Sequence, residues 1–137
     1  MYLGVAVVAW AIAQICKYIL VSKQSGSFRD LTYLYKSGSM PSVHAATVVS
    51  LTVYIGLHDG FHSNIFALAA IITVIVLYDA VQVRRAVGEQ GIALRGLLNK
   101  ANVSDLPHAA MGHTPLEVLA GSLIGSSVGI VAFFITI

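Results

Sequence analysis

Two histidines stand where a polar stretch turns into an apolar one, each beside a proline. His44 lies in residues 38–46, Gly-Ser-Met-Pro-Ser-Val-His-Ala-Ala, and His113 in residues 112–117, Gly-His-Thr-Pro-Leu-Glu. Proline has no backbone N–H and a fixed φ, so Pro41 and Pro115 suit the first turn of a helix. A helix start presents free N–H groups and a partial positive charge, which together attract anions. With His44 in that first turn and the Ser42 hydroxyl beside it, the stretch reads as an anion pocket holding a titratable imidazole, a setting for phosphate chemistry.

Glu117 is four residues after His113 and admits two readings. Thr114, Pro115 and Glu117 spell a capping box, a purely structural device. Alternatively the Glu117 carboxylate holds the imidazole of a nucleophile. Arg84 and Arg85 are either membrane-border anchors or forks for phosphate oxygens. Lys17 either snorkels to the headgroups or serves a polar site from inside the membrane. His58 and His62 flank Asp59 in a short connection, a poor donor set for zinc.

These groups need a scaffold, and the composition says which kind. The 137 residues are 57% hydrophobic and 10% charged, against about 25% charged in a soluble domain. The chain therefore reads as a single integral membrane domain, all-α, with four spans at about 3–22, 41–57, 64–83 and 115–137. At ~1.5 Å per residue, a run of about 20 residues crosses the ~30 Å hydrocarbon core. Outside the first span, every Lys and Arg falls in or beside residues 23–40 and 84–114, the two expected loops, and the connection at 58–63 has none. By the positive-inside rule both loops face the cytoplasm. His44, His113, Asp79, Arg84 and Arg85 then share one membrane face. The fourth span carries Gly121, Gly125 and Gly129, a small-residue stripe that packs either within the chain or in a homodimer. The lone cysteine, Cys16, sits in an apolar run and reads as a small buried hydrophobe.

Four pieces together resemble the divergent branch of the type-2 phosphatidic acid phosphatase and vanadium haloperoxidase superfamily. They are Ala-Gln-x-x-Lys (13–17), Met-Pro-Ser-x-His-Ala (40–45), Tyr-Asp-Ala-x-x-Val-Arg-Arg-Ala-x-Gly-Glu-Gln (78–90) and Gly-His-Thr-Pro-Leu-Glu-Val-Leu-Ala-Gly (112–121). The resemblance implies a four-helix reduction of that superfamily's helical core. It also implies a phosphohistidine mechanism in which His113 is the nucleophile, Glu117 orients it and His44 protonates the leaving alcohol. Ser42 would help cradle the phosphate, and no metal or other cofactor is needed. Beyond the resemblance, Lys17, Arg29, Arg84 and Arg85 are the cations expected to hold the phosphate, with Arg84 and Arg85 standing in for those the pattern lacks here and Asp79 in support. Four departures from the common pattern stand out. Val43 replaces a glycine, Glu117 replaces an aspartate, Pro107 occupies the place of an arginine, and Lys17 and Arg29 lie in the right region at the wrong spacing.

The expectation is a lipid-phosphate phosphatase acting on a phosphomonoester or pyrophosphate, its site facing the cytoplasm from a bacterial inner membrane or an organelle membrane. Its partners would be the lipid phosphate and membrane lipids, with no nucleic acid. The alternative is a catalytically degenerate relative that binds phospholipid headgroups or a partner helix.

Overall fold

The computed structural model describes residues 1–26, 39–103 and 111–137, and the described residues form helices and short connections. The helices are α1 (Tyr2–Ser25), α2 (Val43–His58), α3 (Asn64–Tyr78), α4 (Arg84–Lys100) and α5 (Pro115–Thr136), with a π turn over Asp79–Val83 joining α3 to α4. Arg29 lies outside the described residues, as does Pro107.

Local chemistry sets most of the helix ends. Ser42 caps α2, its Oγ accepting from the Ala45 N–H, and Ser63 caps α3 in the same way through the Phe66 N–H. Thr114 caps α5 with Pro115 in the first turn. Hydroxyl side chains at these positions satisfy N–H groups that have no partner inside the helix. Gly26 stops α1 in the left-handed conformation at φ 67, which glycine adopts without a side-chain penalty.

Three boundaries correct the sequence reading. Pro41 is not in the first turn of α2: the helix starts two residues later, because the Ser42 side chain rather than the proline ring ends the preceding loop. Residues 23–25 continue α1. Most of the expected loop at 84–114 is helical as far as Lys100, because the chain passes from α3 into α4 without a helix breaker.

The membrane bundle is built around α2, which packs on α1, α3 and α5. Its interior is rich in small side chains, with Ala9 and Ala13 of α1 and Ala45, Ala46 and Ser50 of α2 fully buried beside the larger Tyr54 and Ile55. The large apolar side chains, among them Leu68, Ile71, Val74, Leu123 and Phe134, point outward. Association in lipid gains little from burying apolar surface, so close backbone approach takes its place. The stripe on α5 shows how this works. A Cβ on Gly121, Gly125 or Gly129 would run into the carbonyl oxygen of Ser42, Ala46 or Ser50 respectively. Both sets repeat every four residues, so the two helices meet backbone to backbone over two turns. Of the two readings left open for Gly121, Gly125 and Gly129, packing within the chain is the one observed, and α2 rather than a second copy occupies that face.

Polar glue supplements the packing. The hydroxyls of Thr52 and Thr73 lie 2.7 Å apart between α2 and α3. At the far end from His44, the Tyr2 hydroxyl donates to Asp59 Oδ1 at 2.8 Å and Tyr54 stacks on His58. The Tyr2 contact ties the start of α1 to the end of α2. Three helical stretches (α1, α3 continued through α4, and α5) are long and apolar enough to cross a membrane, and α2 is a shorter apolar helix. The protein is an integral membrane four-helix bundle.

Candidate active site

The site is assembled where α2 and α5 begin and α3 ends. His44 is the second residue of α2, two past its cap, and the close α2–α5 contact carries it to the start of α5. The Ser42 N–H donates to the Glu117 carbonyl at 3.0 Å, which locks the two helix starts in register. Ala45, Ala80 and Val118 form a small apolar cluster beneath them, one residue from each of α2, the π turn and α5.

The π turn does the remaining positioning. In an α-helix the Arg84 N–H would bond the Ala80 carbonyl, but here it bonds the Asp79 carbonyl one residue further back. The Ala80 carbonyl is thereby released, and the His113 N–H donates to it at 3.0 Å. Gly112 lies flat on the backbone of Arg84 and Arg85, where any Cβ would collide. The same turn also pairs two side chains. Residues five apart on an α-helix point about 140° away from each other at ~100° per residue. The extra residue of the π turn brings Asp79 and Arg84 together, with Arg84 Nε donating to Asp79 Oδ2 at 2.6 Å. Such turns are often found at functional sites.

His113 and Glu117 make both of the contacts that their spacing allows. His113 Nδ1 lies 3.2 Å from Glu117 Oε2, and the Thr114 N–H donates to that same oxygen at 2.9 Å. The Glu117 N–H returns a bond to Thr114 Oγ1. One carboxylate oxygen therefore serves both the capping box and the imidazole. The pair is well shielded, with side chains 11% and 18% exposed. An imidazole that donates from Nδ1 to a carboxylate is held in the tautomer whose Nε2 carries the free lone pair.

His44, Asp79, Arg84, Gly112, His113, Met111 and the apolar side of α3 enclose a cavity of about 230 Å³. Ligand pockets for drug-sized molecules begin near ~300 Å³, so this one suits a headgroup whose tail stays outside. A larger hollow of about 540 Å³ between α1 and α5 is lined almost wholly by apolar groups and lies away from the histidines. The charges converge on the smaller cavity: His44 is within electrostatic reach of Arg84, His113, Lys17 and Asp79. Lys17 is only 7% exposed inside the bundle and within electrostatic reach of Glu117. Lys17 is thus buried inside the bundle rather than extended to the headgroups, though it is not among the residues that line the cavity.

Two expected phosphate ligands lie elsewhere. Ser42 is fully buried and its hydroxyl caps α2, outside the cavity lining. Arg85 turns to Glu89 at 3.2 Å on the outer surface of α4. The π turn, the Ala80 carbonyl and Met111 escaped sequence reasoning. A glycine directly before His113 was the available signal for a tight backbone approach.

The chain is thus a helical membrane bundle with two histidines at adjoining helix starts, one of them paired with a glutamate. Residues 1–128 match the divergent PAP2 family, and the chain is a member of that family. It is also 36% identical over 112 residues to the uncharacterized membrane protein YuiD of Bacillus subtilis (strain 168), covering 70% of this chain and 71% of that one. No solved structure matches it.

Proposed function

We propose that this protein is a metal-independent lipid-phosphate phosphatase working through a phosphohistidine. The observation that carries the reading is the His113–Glu117 pair at 3.2 Å, opening on a cavity that His44 and Arg84 also line. His113 Nε2 attacks phosphorus while its Nδ1–H stays on Glu117. The N–P bond forms, the bond from phosphorus to the lipid oxygen breaks, and protonated His44 gives its proton to that oxygen. Water then attacks the phosphohistidine, His44 takes a proton from it, and inorganic phosphate leaves as the N–P bond breaks. Charge builds on the phosphoryl oxygens in both steps. Lys17, Arg84 and the free N–H groups at the start of α2 supply the stabilisation, which is usually the largest catalytic contribution. Asp79 supports Arg84 by holding its Nε, leaving the guanidinium's other N–H groups for phosphate. The Lys and Arg distribution favours a cytoplasmic site acting on a phosphate whose hydrocarbon tail stays in the bilayer.

The test is inorganic phosphate release by the purified protein in detergent from phosphatidate, phosphatidylglycerophosphate and polyprenyl phosphates. His113→Ala, checked for helix content and elution volume, is the control. Release that vanishes in the variant supports the reading and names the substrate. If no lipid releases phosphate, or release ignores His113, the protein is a headgroup binder and Glu117 is a helix cap.

A further inference from the structure

α4 is the one helix of the described chain whose two faces differ strongly while neither is covered. Its packing is concentrated on the π turn that leads into it and on Gly112, and Gly88 is its only buried residue. At ~100° per residue, Ala86, Val87, Gln90, Ala93, Leu94, Leu97 and Leu98 fall within an arc of about 140°. Arg84, Arg85, Glu89, Arg95, Asn99 and Lys100 occupy the opposite side, with Ile92 the exception. Val87, Leu94 and Leu97 are 59%, 48% and 65% exposed. In the spans such exposure meets lipid, but this helix is too polar to be a span and lies beyond the level of the site. Its charge is also one-sided. Arg84, Arg85, Arg95 and Lys100 stand against Glu89 alone, and Arg95 and Lys100 have no acidic partner among the described residues.

An apolar stripe flanked by cations on a helix that emerges from a bilayer is the physical signature of an interfacial helix. We infer that α4 rests its Val87–Leu94–Leu97 face on an anionic lipid surface, with Arg95 and Lys100 at the headgroups. The π turn is a place where the helix can bend toward that surface, since its ladder of hydrogen bonds is already interrupted. Charge complementarity selects the occupant. Each cation near an anionic surface strengthens binding about fivefold, whereas a zwitterionic surface offers only the apolar part. Because Arg84 begins this helix and also lines the cavity, the surface would collect anionic lipids at the mouth of the site. The inference stands whether or not that site turns over.

The experiment places a bimane fluorophore at Leu94→Cys, Leu97→Cys or Asn99→Cys in a Cys16→Ala background. The full chain is reconstituted in phosphatidylcholine vesicles with and without phosphatidylglycerol, each containing lipids with a shallow nitroxide quencher. Quenching at 94 and 97 at least twofold above that at 99 is expected. It should grow with phosphatidylglycerol and shrink in Arg95→Gln/Lys100→Gln. Quenching that ignores lipid charge overturns the inference, as does water-like emission at all three positions. A blue shift at 94 and 97 without lipid quenching also overturns it, because the face is then covered by protein, either another segment or a second copy.

Discussion

The glycine stripe of α5 sets the separation of the helix that carries His44 from the helix that carries Glu117, so adding one methyl group should be read twice, in stability and in turnover. At Gly129 a Cβ would lie 2.6 Å from the Ser50 carbonyl oxygen, where ordinary contact begins at 3.4 Å. The obstacle is backbone, so α5 must retreat from α2 by about 0.8 Å. At Gly121 the added carbon would press on the Ser42 carbonyl and lie 3.2 Å from Ala45 Cβ, one turn from Glu117 and at the level of His44. Overpacking of this kind costs about 1–3 kcal/mol, and both Gly121→Ala and Gly129→Ala should lose that stability in thermal unfolding in detergent. A misplacement near 1 Å between reacting groups costs about a hundredfold in rate, or ~2.7 kcal/mol of barrier. Gly121→Ala should therefore lose about a hundredfold in kcat for phosphate release. Gly129→Ala, two turns further from the site, should lose less than tenfold. Gly4→Ala, where an added Cβ meets nothing within 4 Å, should change neither quantity. Equal turnover in Gly121→Ala and Gly129→Ala at equal destabilisation would refute the argument that helix separation sets the site.

Arg84→Ala should raise KM at least tenfold while Arg85→Ala leaves it within twofold, since only Arg84 lines the cavity and an exposed pair such as Arg85–Glu89 contributes little; steady-state kinetics on the best lipid decides. Glu117→Gln keeps an oxygen for the cap but removes the charge facing His113, so kcat should fall at least ~100-fold with little change in melting. Thr114→Ala should do the reverse, losing ~1 kcal/mol of stability with kcat within tenfold. At the far end of the bundle, the Tyr2 hydroxyl bond and, after it, the His58 bond hold the Asp59 carboxyl below the usual carboxylate range. A carboxylate with a depressed folded-state pKa adds stability that is present above its unfolded pKa and lost as pH falls through the folded value. Stability measured from neutral pH into the acid range should decline through that window in the wild type and run flatter in Tyr2→Phe.

Much of the architecture was legible because membrane spans announce themselves by length and by lack of charge. The convergence of His44, His113, Asp79 and Arg84 on one end of the bundle followed from where spans start and stop. The Thr114–Glu117 cap was legible too, since it is local. The rest depended on groups that sequence patterns do not register. Residues 84–100 looked like a loop because charge density signals departure from the membrane, and a helix can leave the membrane and remain a helix. Arg84 and Arg85 are equivalent by composition, and only the helical phase after the π turn separates a cavity residue from a surface one. Ser42 resembled a phosphate ligand because a cap and a cradle use the same hydroxyl. The glycine stripe fitted a partner helix of either origin until α2 was found against it.

The residue that makes the π turn is surplus to the helix. Without it, α3 and α4 would be one regular rod with its backbone bonds in α register. Removing a residue between Asp79 and Arg84 should therefore yield a better helix and a poorer site. The Ala80 carbonyl would return to the ladder, His113 would lose its backbone anchor, and Arg84 would swing away from Asp79. Stability and site geometry pull in opposite directions at this one position.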